Sequence, residues 1–180
     1  KELYGFKMMK NRKIILKQRP KGSPKDSDFD IIAEDIKPLK QNDLLLKTIY
    51  LSLDPYMRGR MNEAKSYAKP IKIDSVMEGE TVSQVVETKN KNYKIGDIVI
   101  GKTGWQEFHI CSPKTIRKIN PDIAPISTAL GVLGMPGKTA YIGIKNFAKP
   151  KKGETIVVSA ASGAVGSTVG QIAKIFGCNV

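Results

Sequence analysis

The first two thirds of the chain alternate in short steps. Apolar or alternating runs at 13–17, 30–36, 44–53, 81–87, 97–100, 105–111 and 115–119 each read as a strand. Turn formers separate them: P-K-G-S-P at 20–24, Q-N-D at 41–43, K-N-K-N at 89–92, I-G-D at 95–97 and S-P at 112–113. Many short strands at such spacing predict a sandwich or barrel. Near Asn120-Pro121 the period lengthens, and from Ile126 the apolar spacing suits helices, broken at G-M-P-G, 134–137. A basic loop, K-P-K-K-G-E, then precedes T-I-V-V at 155–158. That run has no polar alternation and predicts a strand buried on both faces, as in a parallel sheet. A glycine turn and a helix over about 164–176 follow.

Composition narrows the picture. With 180 residues, 41% apolar and 26% charged, the chain has the make-up of a soluble globular protein of one domain and part of another. No apolar run approaches the roughly 18 residues of a membrane span, and no secretory-signal pattern opens the chain. The formal charge is +13, and residues 1–25 hold nine Lys or Arg against one acid, Glu2. A basic arm could bind nucleic acid. No aromatic-interleaved motif accompanies it, so the lysines read as a solvated surface. Residues 1–8 read as a non-native extension, the natural start being Met8 or Met9.

Two cysteines, Cys111 and Cys178, and one histidine, His109, exclude a four-cysteine zinc site. His109 and Cys111 are two apart in an expected strand and would share a face, a poor metal site unaided. No metal is expected. The scarcity of cysteine fits a reducing cytoplasm.

The turn A-S-G-A-V-G, 161–166, has the spacing A-x-G-x-x-G, a dinucleotide fingerprint with alanine in the first glycine's place. Gly163 would let backbone approach a pyrophosphate, and Gly166 would let helix and strand pack closely. Free N–H groups of Ala164, Val165 and Gly166 would face the phosphates at the helix N-terminus. The residue that would choose between NAD and NADP is expected about 20 positions further on, outside these 180 residues.

Three motifs, L-S-L-D-P-Y-M-R-G-R-M (51–61), G-M-P-G-K-T-A-Y (134–141) and S-A-A-S-G-A-V-G-S-T-V-G-Q-I-A-K (159–174), resemble the zinc-independent medium-chain dehydrogenase/reductases. Within them the chain is similar to the leukotriene B4 dehydrogenase/prostaglandin reductase family. The resemblance implies a mainly β fold: a GroES-like partly open β-barrel over 9–125, followed at 126–180 by the first strand and helix of a truncated α/β Rossmann domain. It implies NADPH as cofactor, an enone or alkenal as substrate, and a homodimer. Zinc-dependent relatives carry a Cys near Asp54-Pro-Tyr56 and a Gly-His-Glu near Gly79-Glu-Thr81, and this sequence has neither the Cys nor the His.

Such an enzyme reduces the double bond of an α,β-unsaturated carbonyl without a metal, so hydrogen bonds must stabilise the enolate. Tyr56 stands where zinc-dependent relatives place a ligand, and a phenol with its ordinary pKa of about 10 stays protonated and can donate. A ribose hydroxyl of the cofactor, or a tyrosine later in the family's sequence, would be the other donors. Met135 and Thr139, with Pro136, resemble the family's nicotinamide-side wall. Arg58 could meet an acidic substrate. A basic nucleic-acid-binding protein and a catalytically silent relative are the alternatives. One strand and one helix fall short of the βαβαβ unit that binds a mononucleotide, so the 180 residues alone are expected to bind NADPH poorly and to be inactive.

Overall fold

The computed structural model describes residues 10–63 and 68–180; the expected extension at 1–8 lies outside them. The chain divides into two compact units, Lys1–Asn120 and Pro121–Val180.

In the first unit all strand pairs are antiparallel. A three-stranded sheet has the order β2-β1-β4, built from β1 (Lys10–Leu16), β2 (Phe29–Asp35) and β4 (Ser75–Val76). A five-stranded sheet has the order β7-β3-β5-β6-β8, built from β3 (Leu44–Leu51), β5 (Thr81–Thr88), β6 (Ile98–Gly101), β7 (Phe108–Cys111) and β8 (Ile116–Lys118). β1 also bridges to Gln106, and Ile14 N donates to Trp105 O at 2.9 Å, which joins the two sheets along the segment before β7. The result is a partly open, GroES-like β arrangement. The expected strand 105–111 starts only at Phe108, because Trp105 turns into the core, and 115–119 is trimmed by the 3-10 turn at Pro113–Thr115.

Three successive leucines open β3, and Leu44, Leu45 and Leu46 are all buried. Strand alternation sends Leu44 and Leu46 to one face, against Val85, Val99 and Cys111, and Leu45 to the other, against Leu39 and Phe108. β3 is therefore covered on both faces. We expect Leu46→Ala to cost about 2–5 kcal/mol in urea unfolding, while Ile31→Ala, at an exposed position, stays within about 0.5 kcal/mol.

A third cluster, Leu16, Met61, Ile71 and Met77, fills the space beneath the short helix α1 (Tyr56–Arg60). Trp105 packs against it and stacks on Phe29, with ring centroids 6.0 Å apart. A Cβ on Gly79 would lie 2.7 Å from Leu51 Cδ1 and 3.1 Å from the indole, so a larger residue there needs the Leu51 side chain to move.

The second unit holds a 3-10 turn (Ile126–Leu130), α2 (Met135–Ile142), a π-helical turn (Gly143–Ala148) and α3 (Ala164–Ile175). Gly134 and Gly137 open α2 where no side chain fits: a Cβ would lie 2.0 Å from Ala129 O and 1.8 Å from Val132 O. α3 packs on α2 and buries Ala173 against Ile144 and Cys178, with Ile156, Val169 and Ile172 around them.

The expected strand at 155–158 needs correction. It forms a single parallel bridge, Thr155 to Asn179, supported by Ile156 N to Asn179 O at 2.8 Å. Ile156 is half-buried under α3, whereas Val157, expected to be covered, is 93% exposed. A strand is a property of its neighbours, and one bridge from 179 is all that pairs with this segment.

Candidate functional site

The candidate site residues fall in two groups, one in each unit. In the first, β3 leaves the sheet after Leu51, and Ser52 N closes onto Glu80 O at 3.0 Å. Ser52 Oγ donates to Asp54 Oδ1 at 3.0 Å, and Met57 N donates to Asp54 O at 3.0 Å, which starts α1. Pro55 presets the turn with φ −55°. Met57 and Met61, four apart, are both buried and pin one side of α1 to the core. Tyr56, the first residue of α1, is half-buried.

Arg58, expected as a substrate contact, is engaged by the protein itself. Its Nε and Nη2 donate to Gly22 O at 3.1 and 2.6 Å, Nη2 also to Pro20 O at 3.2 Å, and Nη1 to Asn62 Oδ1 at 2.7 Å. Arg60 donates from Nη1 and Nη2 to the two carboxylate oxygens of Glu78, and from Nε and Nη2 to Lys69 O at 3.0 and 2.8 Å. Arg19 Nη1 donates to Met61 O at 2.8 Å and Ile71 O at 2.7 Å. Arg19 and Glu78 carry no local motif; they lie 42 residues before Met61 and 18 after Arg60, and only folding brings them to α1.

In the second unit, Ser159 to Ser162 form the turn, with Ala160 at φ 50°. Gly163 N donates to Ala160 O at 2.9 Å, and Gly163 stands as the N-cap of α3 at φ −71°, ψ 165°. Its carbonyl takes the first helical bond, from Ser167 N at 2.9 Å, and no side chain caps the helix. The N–H groups of Ala164, Val165 and Gly166 thus precede the first N–H that reaches back along the helix, at an exposed turn. A Cβ on Gly166 would lie 2.3 Å from Ala160 O, so Gly166 packs the helix onto the turn rather than onto the strand. This arrangement suits a pyrophosphate: uncapped donors, the positive end of a twelve-residue helix and a glycine at the point of approach. Met135 and Thr139 lie one turn apart on α2; Thr139 Oγ1 donates to Met135 O at 2.9 Å, and both residues are exposed.

His109 and Cys111 serve the β core. Phe108 N donates to Asn11 Oδ1, Asn11 Nδ2 to Gln106 Oε1, and Gln106 Nε2 to His109 Nδ1, each at 2.9 Å. Burial, then the charge of Lys13, holds the His109 imidazole below its ordinary pKa, so it is neutral at pH 7. Among the described residues no three of His, Cys, Asp and Glu gather as a metal set. Burial chiefly, with the Asp43 charge adding and a Thr115 hydrogen bond opposing, pushes the Cys111 thiol up to about 11. The folded state therefore keeps a proton that an unfolded thiol loses from its ordinary value of 9.0 upward, and stability falls as pH rises from 9 to 11. At pH 8 only about one thiol in a thousand is thiolate, so iodoacetamide should label Cys111 rapidly only after denaturation.

Four of the seven basic residues of the arm that the structure describes have partners. Arg12 pairs with Glu107 at 2.7 Å, Lys13 with Glu34 at 2.5 Å and Lys17 with Asp30 at 2.9 Å, while Arg19 holds the carbonyls beside α1. No helix among the described residues is long and apolar enough to cross a membrane.

An antiparallel β unit, followed by a glycine turn that opens a helix, is the arrangement of the N-terminal part of a medium-chain dehydrogenase/reductase. The profile described as the N-terminal domain of oxidoreductase matches residues 12–119, and the chain belongs to that family, in its zinc-independent, NADP-dependent branch. It is 47% identical over 176 residues to the NADPH-dependent curcumin reductase of Escherichia coli, covering 98% of this chain and 51% of that protein. It is 46% identical over 175 residues to the NADP(+)-dependent 2-alkenal reductase of Nicotiana tabacum, covering 94% and 51%. The crystal structure of CurA from Vibrio vulnificus in complex with NADPH superposes with a TM-score of 0.87 at 48% identity, covering 93% of this chain and 50% of that one. The chain spans about half the length of the curated relatives it matches.

Proposed function

We propose that this chain is the catalytic-domain part of an NADPH-dependent reductase acting on the double bond of α,β-unsaturated carbonyl compounds, enones or alkenals. The observation that carries the reading is similarity over nearly the whole chain to proteins named for NADPH-dependent reduction of curcumin and of 2-alkenals. The uncapped N-terminus of α3 supports it, since Ala164, Val165 and Gly166 can donate to a pyrophosphate and Gly163 leaves room for its approach. Met135 and Thr139 are proposed to flank the nicotinamide. NADPH, when bound, supplies the hydride for the β-carbon. Tyr56 donates a hydrogen bond to the carbonyl oxygen, where negative charge gathers as the double bond is reduced. Met135 and Pro136 are proposed to keep water away from the reacting carbons.

A cytoplasmic location and a homodimer belong to the same proposal; two free buried cysteines support the first. The nucleic-acid alternative loses support from the ion pairs that occupy Arg12, Lys13 and Lys17. The test is NADPH oxidation by the complete protein across a panel of enones and alkenals. Oxidation that requires the conjugated double bond supports the proposal; tight NADPH binding with no oxidation across the panel replaces it with a silent relative.

A further inference from the structure

We propose that Arg60, with Glu78 opposite it, is a positioning residue for Tyr56, and that Arg19 and Arg58 complete the same clamp. This rests on the reading of Tyr56 as the donor to the substrate carbonyl.

α1 is only five residues long and contains a glycine, so it has little helical stability of its own. Met57 and Met61 hold its inner side, but two flexible thioether side chains fix a helix poorly in rotation. Three arginines supply what is missing. Arg19 draws Met61 O and Ile71 O together, Arg58 ties α1 to the carbonyls of Pro20 and Gly22, and Arg60 ties it to Lys69 O and to both oxygens of Glu78. The anchors lie in three separate chain segments, so α1 is fixed in translation and in rotation about its axis. The arginine side chain of the Arg60–Glu78 pair is largely buried, while the Glu78 side chain is 45% exposed, so the pair sits at the edge of the core. Its forked geometry is available to arginine and not to lysine. Glu78 directly precedes Gly79, which sits closely against Leu51 and the indole of Trp105. A hydrogen-bond donor displaced by about 1 Å loses much of its effect on a transition state, which is what the clamp prevents.

The experiment is a double-mutant cycle in the complete protein: Tyr56→Phe, Arg60→Lys and the pair, with kcat and KM for NADPH-dependent reduction of one enone. Arg60→Lys keeps the charge and loses the fork. We expect kcat to fall about tenfold with KM for NADPH unchanged, and the loss to vanish when Tyr56 is already Phe. Fluorescence of Trp105, the one tryptophan of the chain, together with the melting temperature, reports whether the fold beneath α1 is intact. If Arg60→Lys fails to fold, Glu78→Gln carries the same cycle, because it keeps one acceptor and removes the charge. Equal losses in both backgrounds, or no loss, overturn the clamp while leaving the donor role of Tyr56 standing. A Tyr56→Phe loss below about twofold overturns the donor role itself, and the clamp with it.

Discussion

Replacing Tyr56 with phenylalanine should lower kcat/KM for enone reduction by about 10- to 100-fold, the range expected for losing one hydrogen bond to a developing oxyanion. Phenylalanine keeps the ring and its volume and removes only the hydroxyl. The substitution stands at the first residue of α1, where Met57 and Met61, not Tyr56, provide the buried anchors. Stability should therefore change little, and the loss should fall on kcat. NADPH affinity should stay within about twofold, because the proposed phosphate cradle lies on other residues. Stopped-flow measurement of NADPH oxidation separates these quantities. A variant with wild-type kcat would move the donor role to another hydroxyl and leave Tyr56 as a packing residue.

Gly166→Ala should be the most damaging single-methyl change at the phosphate turn. The added Cβ would stand 2.3 Å from Ala160 O, 3.0 Å from Ala160 C and 3.0 Å from Ala161 Cα. All three are backbone atoms, so no side chain can swing aside. Either the turn opens or the first turn of α3 shifts, at about 1–3 kcal/mol, and both displace the N–H groups of Ala164 and Val165. NADPH binding to the complete protein should weaken about tenfold or more, as read by titration calorimetry. Two neighbours supply the contrast. A Cβ on Gly163 would meet only Ala160 O, at 3.2 Å, so Gly163→Ala should cost less. A Cβ on Gly170 would meet only Val180 Cγ1, at an ordinary 3.5 Å, so Gly170→Ala should bind normally and stabilise α3 by about 0.5–1 kcal/mol. Equal binding by all three variants would remove the pyrophosphate from this turn.

The contrast among these glycines also shows how far the sequence reaches. A-x-G-x-x-G places a glycine turn before a helix, and α3 begins at Ala164 where that spacing puts it. It does not say what each glycine avoids. Gly166 was expected to admit the helix to a strand and instead admits it to the carbonyl of Ala160. The difference arises because Ala160 adopts φ 50°, a left-handed conformation that alanine seldom takes and that turn context imposes.

The strands of the first unit were legible for a similar reason. Alternation and turn residues are local, so β1, β2, β3, β5 and β6 fall within a few residues of their apolar runs. α1 was not legible: it follows a strand-like run, and its helical signal is two methionines four apart. Nor could the partners of Arg58 be read. Two of its acceptors are backbone carbonyls, which every residue has, so no side-chain pattern marks Pro20 and Gly22 as its targets.

By itself, then, the sequence determined most strands of the first unit, the change from strands to helices near residue 120, the glycine turn and the D-P-Y-M-R segment that the proposed chemistry needs. Each depends on neighbours along the chain. Tertiary structure alone decided that Leu45 is buried on the face opposite Leu44 and Leu46, that Val157 is exposed, and that three arginines close on α1. Those outcomes depend on which distant backbone arrives beside a residue, and burial and hydrogen bonding are settled by that arrival.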